Sequence, residues 1–122
     1  MISEITPPQK SHQYRVKYLN PINNINVLTR QTVSFNYDMV TSIGNIVFEL
    51  PQDSNEMLTQ LRKFIRTCDT SIIVEFINHT GIQSYVKFKN LNFTKCLLAV
   101  NYCETEICYV DAQFTFQTMI TD

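Results

Sequence analysis

The sequence predicts a mainly β domain with one α-helix: an antiparallel β-sandwich or partial barrel that completes a barrel by oligomerisation. Three observations carry this. From Ile107 to Met119 apolar and polar residues alternate almost without a break. Cys108, Val110, Ala112, Phe114 and Phe116 fall on one side, and Tyr109, Asp111, Gln113, Thr115 and Gln117 on the other, the period of two of a half-buried strand. Common strands run about five or six residues, so in a chain of 122 residues a run twice that length extends past its own domain toward other copies. Shorter alternating segments fill most of the remaining chain, and one stretch near residues 57–68 has helical spacing instead.

In chain order, residues 1–12 read as an arm, because Pro7-Pro8 blocks helix and no period persists. Residues 13–122 make a single domain without internal repeat. Tyr14 to Leu19 alternates Tyr14, Val16 and Tyr18 against Arg15 and Lys17, a first strand that Asn20-Pro21 breaks. The Asn-rich piece Ile22 to Asn26 reads as a connecting loop. Thr32 to Asp38 alternates again, with Val33, Phe35 and Tyr37 on one side and Ser34, Asn36 and Asp38 on the other. Ile46, Phe48 and Leu50 form the inward set of a third strand, stopped by Pro51. Asp53 and Glu56 then make a capping-box-like helix start. Met57, Leu58, Leu61, Phe64, Ile65 and Cys68 follow as an apolar stripe, with Arg62, Lys63 and Arg66 off it. Basic residues there suit the negative end of the helix dipole.

Ser71 to Asn78 and Ile82 to Lys89 read as strands joined by a tight turn at His79-Thr80-Gly81, where Gly81 can take positive φ. Leu91 to Val100, a polar turn at Asn101 to Thr105 and the long last strand complete six or seven strands. The expected core is Phe35, Phe48, Leu61, Phe64, Val74, Phe76, Phe88, Val110, Phe114 and Phe116, and Cys68 and Cys108 also fall on expected core faces.

Composition narrows the function classes. Hydrophobic residues make up 44% and charged residues 17%, enough apolar material to fold and too little charge for a disordered tail. The formal net charge of −1 argues against a duplex DNA binder, whose affinity comes largely from neutralising phosphates. The N-terminal residues show no basic n-region or apolar h-region, and no apolar run approaches the roughly 18 residues that span a bilayer. We therefore expect a protein made and kept in the cytosol, or in particles assembled there, with no membrane partner. Cys68, Cys96, Cys103 and Cys108 contain no Cys-x-x-Cys pair and read as free thiols.

No catalytic constellation is legible. His12 lies in the arm and His79 in a turn, away from any placed thiolate. Glu104, Glu106 and Asp111 read as solvated carboxylates, and neither Gly44 nor Gly81 belongs to a phosphate-binding pattern. Neither an enzyme nor a cofactor or metal is expected. Lys87, Lys89 and Lys95 with Tyr85 and Phe93 nearby leave one alternative, a small β-barrel that binds single-stranded nucleic acid. Ordinary edge protection by lysine explains the same residues.

The order of elements, with the hairpin Ile72-Ile-Val-Glu-Phe-Ile-Asn-His-Thr-Gly81-Ile-Gln-Ser-Tyr-Val-Lys-Phe-Lys-Asn90, resembles the tail tube proteins of contractile-tailed phages. Phe88 to Phe93, Lys95, the Asn101 to Thr105 turn and the strand closing on Phe114-Thr-Phe116 are similar to that family's final strands. The likeness spans residues 14–119 as a pattern without invariant motifs, and it fits a tube initiator, neck or baseplate protein of the same fold as well. It implies a virion tail protein assembled in the host cytoplasm. Six subunits would form a ring whose sheets join into one barrel, rings would stack, and genomic DNA would pass through the lumen without specific binding. Sheath, neck or baseplate proteins would be further partners. Ser34, Asn36, Asp38, Asp111, Gln113 and Thr115 become lumen candidates, with plain solvent exposure as the other reading. Tube proteins are commonly longer, so a compact chain would have short loops or lack an added outer segment, and the arm and the Asn20 to Thr29 loop would then be the inter-ring contacts. An accessory virion β-sandwich that binds another protein stands as a further alternative.

Overall fold

The computed structural model describes residues 13–50, 55–78, 80–99 and 108–122. The elements run β1 (Tyr14–Leu19), α1 (Asn26–Gln31), β2 (Thr32–Asp38), β3 (Ile43–Leu50), α2 (Asn55–Arg66), β4 (Ser71–Asn78), β5 (Gly81–Ala99) and β6 (Cys108–Thr121). The strands form one antiparallel sheet in the order β1-β4-β5-β6-β3-β2, curled into a half-barrel. The curl shows in the packing. Two strands separate β2 from β5 in the sheet, yet the rings of Phe35 and Phe88 lie 5.7 Å apart and those of Tyr37 and Phe88 4.9 Å. The face that carries them is therefore concave.

Alternation fills that concavity. Val16 and Tyr18 of β1, Ile46 and Phe48 of β3, Ile72 and Val74 of β4, Val86 and Phe88 of β5, and Val110, Ala112, Phe114 and Phe116 of β6 are all buried. α2 closes the concave side with Met57, Leu61 and Phe64, each such burial contributing about 1.5–3 kcal/mol. Tyr18 joins helix to sheet, its ring 5.6 Å from Phe64 and 5.7 Å from Phe48. Phe64 and Phe93 meet edge to face at 5.9 Å, and Phe93 in turn reaches Phe114 at 5.5 Å.

β1 and β2 are the two edges of the sheet although only α1 separates them in sequence. α1 is a second helix where a plain loop was expected. Ile25 is its N-cap, its carbonyl accepting the amides of Leu28 and Thr29. Asn24 just before it fastens the turn to β1, its Oδ1 accepting the Tyr18 amide at 3.0 Å and the Thr29 hydroxyl at 3.1 Å, and Leu28 is fully buried. Six residues are too few to show a helical period, which is why the pattern reads as loop. Thr32 donates its hydroxyl proton to Leu28 O at 2.7 Å, so Tyr18, 2.7 Å away, is the donor to Thr32 Oγ1. A fully buried phenol thus ties one sheet edge to the start of the other, and burial pushes its pKa far up.

Other expectations are corrected. The segments Ile82 to Lys89 and Leu91 to Val100 form one strand, β5, through Ala99. Asn90 takes φ +58 and donates through its amide to Thr118 Oγ1 at 2.9 Å, so the strand bends there without ending. Phe76 shares the core-side register with Tyr14 but sits where the sheet runs out, and it is 37% exposed. Val33 falls at the irregularity between Thr32 and Ser34 and is turned outward. Cys68 lies beyond the end of α2 and is exposed, and Cys108 is only half-buried. The arm, Pro51, Asp53, His79 and the Asn101 to Thr105 turn lie outside the described residues.

Candidate assembly surface

The convex face is the side of the sheet turned away from the core, and register places its residues in rows, because residues opposite one another on antiparallel strands share a face. Ser34, Val47 and Asp111 form one row across β2, β3 and β6. Asn36, Asn45 and Gln113 form the next, and Asp38, Ile43 and Thr115 the third. The six polar positions singled out from sequence are thus brought together on one side of three adjacent strands. On β5 the rows continue to Leu97, Lys95 and Asn92. Among the described residues this half carries Asp38, Glu49 and Asp111 against Lys95.

The other half of the convex face leans basic. Its rows are Arg15, Glu75, Tyr85; Lys17, Ile73, Lys87; and Leu19, Ser71, Lys89. Glu75 is buried and held between Arg15 Nη2 at 3.1 Å and Lys17 Nζ at 3.3 Å, with Arg15 Nε donating to the same Oε1 at 3.1 Å. Sequence reading missed Glu75. The signal was two cations spaced for one strand face, facing a strand with one acid. Phe93, considered from sequence as a stacking ring beside Lys95, is half-buried on the core side against Phe64 and Phe114.

Backbone pairing is incomplete on the long ribbon. β4 ends opposite Lys89, so among the described residues 91–99 of β5 pair only with β6. On β6, β3 ends opposite Thr115, so 118–121 pair only with β5. Exposed apolar side chains gather where the ribbon outruns its neighbours: Leu97, Leu98 and Tyr109 at one end, and Phe76 and Ile82 at the other. The β2–β3 hairpin presents Met39 and Val40, the latter 92% exposed. Its tip is held in shape by Asp38, whose Oδ1 accepts the amides of Val40 at 2.8 Å and Thr41 at 3.4 Å. Those two bonds lower the Asp38 pKa. Ser42, at φ +60, donates its amide to Asp38 O at 2.8 Å and accepts the Phe116 amide at 3.1 Å.

Among the described residues, no cluster of three or more His, Cys, Asp or Glu is placed to hold a metal ion. Among the described residues the geometry offers a curled half-barrel with strand segments paired on one side only and apolar side chains at both ends of the ribbon.

No family model and no curated protein matches the chain. Solved structures do. A chain in the six-fold-symmetrised baseplate of the anti-feeding prophage is similar over 97% of each chain, with TM-score 0.60 and 12% identity. A chain in the sheath/tube terminator of an extracellular contractile injection system in its extended state covers 99% of each chain, with TM-score 0.61 and 11% identity. A chain in the tube-terminating cap of the anti-feeding prophage covers all of this chain and 94% of its own, with TM-score 0.59 and 10% identity. The likeness is one of fold, end to end.

Proposed function

We propose that this protein is a structural subunit of a contractile, phage-tail-like particle, assembling with copies of itself into rings that stack around a channel. One observation carries the reading: among the described residues, the β5–β6 ribbon leaves two strand segments paired on one side only and puts exposed apolar residues at both ends. An open edge invites another strand, and apolar patches of this kind mark interaction sites. Because the two ends differ, contact between them is heterologous, the kind that builds rings or filaments. The folds it resembles come from baseplate, terminator and cap assemblies of such particles, which supports a tail role at the level of fold. Sheath, neck and baseplate proteins are the partners this role supplies.

In the ring, the rows through Ser34, Asn36, Asp38, Asp111, Gln113 and Thr115 line the channel. Their acidic lean keeps a passing polyanion such as DNA from adhering. Negative-stain electron microscopy with solution mass over a concentration range tests the proposal. Rings or stacked tubes are expected, and a persistent monomer at high concentration would overturn it. Gln113→Lys with Thr115→Lys should leave assembly intact and make the rings retain a single-stranded oligonucleotide in a salt-dependent way. Equal retention by the unsubstituted rings would remove the channel assignment.

A further inference from the structure

Lys87 and Lys89 lie on the convex face, and edge protection does not account for them. Lys87 faces Ile73 of β4 on one side and Ile120 of β6 on the other, and Lys89 faces Ser71 and Thr118. Lysine guards a sheet where a strand is open, whereas this stretch is closed on both sides. Across β4, Lys17 stands in the row of Lys87. Arg15 follows two residues along β1, and Arg30 of α1 lines one open cleft of about 540 Å³ with both. Five of the ten Lys and Arg therefore gather in one band of a chain whose net charge is −1. The one acid in these rows, Glu75, is buried between Arg15 and Lys17. Glu56 and Asp69 stand at the margins, in neighbouring clefts that Arg30 and Lys87 also line. Among the described residues no carboxylate pairs with Lys87, Lys89 or Arg30.

The middle of the band is lower than its sides. On β4, Glu75 and Ser71 are buried and Ile73 is half-buried, while long cationic side chains rise from β1 and β5. Lys17 and Lys87 stand two strand spacings apart, about 9.6 Å, and an α-helix with its side chains is about 10–12 Å wide. Along each strand the cations are two residues and so about 6.7 Å apart, near the roughly 6 Å between helix residues four apart. We propose that this trough binds an acidic amphipathic helix of another protein. Its apolar stripe lies over Ile73, and its carboxylates reach Arg15 and Lys17 on one flank and Lys87 and Lys89 on the other. A single strand of nucleic acid is held by a series of aromatic faces, and these rows hold only Tyr85 among the described residues. A second copy does not supply the helix, because α2 carries Arg62, Lys63 and Arg66 against Glu56 alone. No segment outside the described residues has more than two acids, too few for five cations. The curl of the sheet turns this band away from the rows through Asn36, Asn45 and Gln113, so the two halves of the convex face can serve a channel and an outer partner at once.

The inference does not require rings, and its test is read on the full chain in any state of assembly. The probe is a fluorescein-labelled helical peptide of about five turns, with a Leu stripe flanked on both sides by Glu. It should bind in a salt-dependent way, about tenfold tighter than the same peptide with Ser for Leu and about tenfold tighter than a single-stranded oligonucleotide. Lys87→Glu with Lys89→Glu should weaken binding by about tenfold or more. Arg62→Glu with Lys63→Glu reverses as much charge on α2 and should leave it within about twofold. Far-UV circular dichroism checks that each variant folds. Lys89→Glu alone, at an exposed position, replaces the first pair if that pair does not, with a loss of about threefold. Equal losses from the sheet and helix variants would reduce the binding to net charge and overturn the trough. Tighter binding of the oligonucleotide would overturn it too, and make the band a nucleic-acid face. A monomer that binds the peptide as expected would uphold the trough and sink the ring reading, whereas rings indifferent to the peptide would do the reverse.

Discussion

The two halves of β5 are built from similar residues and do different things. Residues 86–89 lie between β4 and β6, and their apolar members Val86 and Phe88 are buried, Phe88 against Phe35, Tyr37, Phe114 and Phe116. Among the described residues, 91–99 pair with β6 alone, and Leu97 and Leu98 stay open to solvent. What separates the halves is the number of neighbours, since both alternate and both are strand. A strand flanked on two sides belongs to the domain's own stability. One flanked on a single side is an unfinished edge, and its apolar residues keep much of their surface in water.

The sharpest way to break that comparison is a pair of substitutions. Phe88→Ala should cost about 3–5 kcal/mol, a large part of the roughly 5–15 kcal/mol that holds a domain together, and Phe114→Asp should prevent soluble folding altogether. Leu97→Asn should stay within about 0.5 kcal/mol. Urea midpoints compare them directly. A Leu97→Asn loss as large as that of Phe88→Ala would show that the ribbon belongs to the folding core. Gly44→Val comes next. Gly44 faces Phe114 across the β3–β6 pair, and the Phe114 ring occupies the place a side chain there would take. The crowding should cost about 1–3 kcal/mol, read in the same denaturation experiment.

The contrast between the halves also explains what was legible beforehand. Burial on one face leaves a period of two, so β1, the last strand and nearly all of the core could be read from alternation. The polar rows could be read the same way, since Ser34, Asn36 and Asp38 are the other phase of the same pattern. Phe76 misleads for a related reason: alternation tells which face a residue takes and nothing about how far along the strand that face is covered. β5 looked like two strands because Lys89-Asn90-Leu91-Asn92 interrupts the period, and a residue at φ +58 shifts the phase without stopping the pairing. α1, the Glu75 ion pairs and the packing of Phe114 over Gly44 depend on which strands become neighbours. That order, with β1 and β2 at opposite edges, follows from closure around α1 and has no local signature.

A smaller test asks how much the closure of the two edges contributes. Tyr18→Phe keeps the ring contacts to Phe48 and Phe64 and removes only the donor to Thr32. The loss should be near 1 kcal/mol, because Thr32 retains its own bond to Leu28 O. A neutral result in urea would mean that α1 packing alone holds the edges together.

The smallest effect belongs to Asp38, at the tip that ends the polar rows. Its carboxyl is fully exposed, and the amides of Val40 and Thr41 hold its pKa below the usual carboxylate value. A lowered folded pKa means that the charged form adds stability above the unfolded pKa, and that this is lost as pH falls through the folded one. Asp38→Asn keeps an oxygen acceptor for both amides and removes only the charge. The variant should therefore be slightly less stable than the parent at neutral pH, with the gap closing in acid. Urea midpoints of both proteins from neutral pH down to about 3 follow that closure. A gap that stayed constant down to acid would mean that the tip draws nothing from the charge.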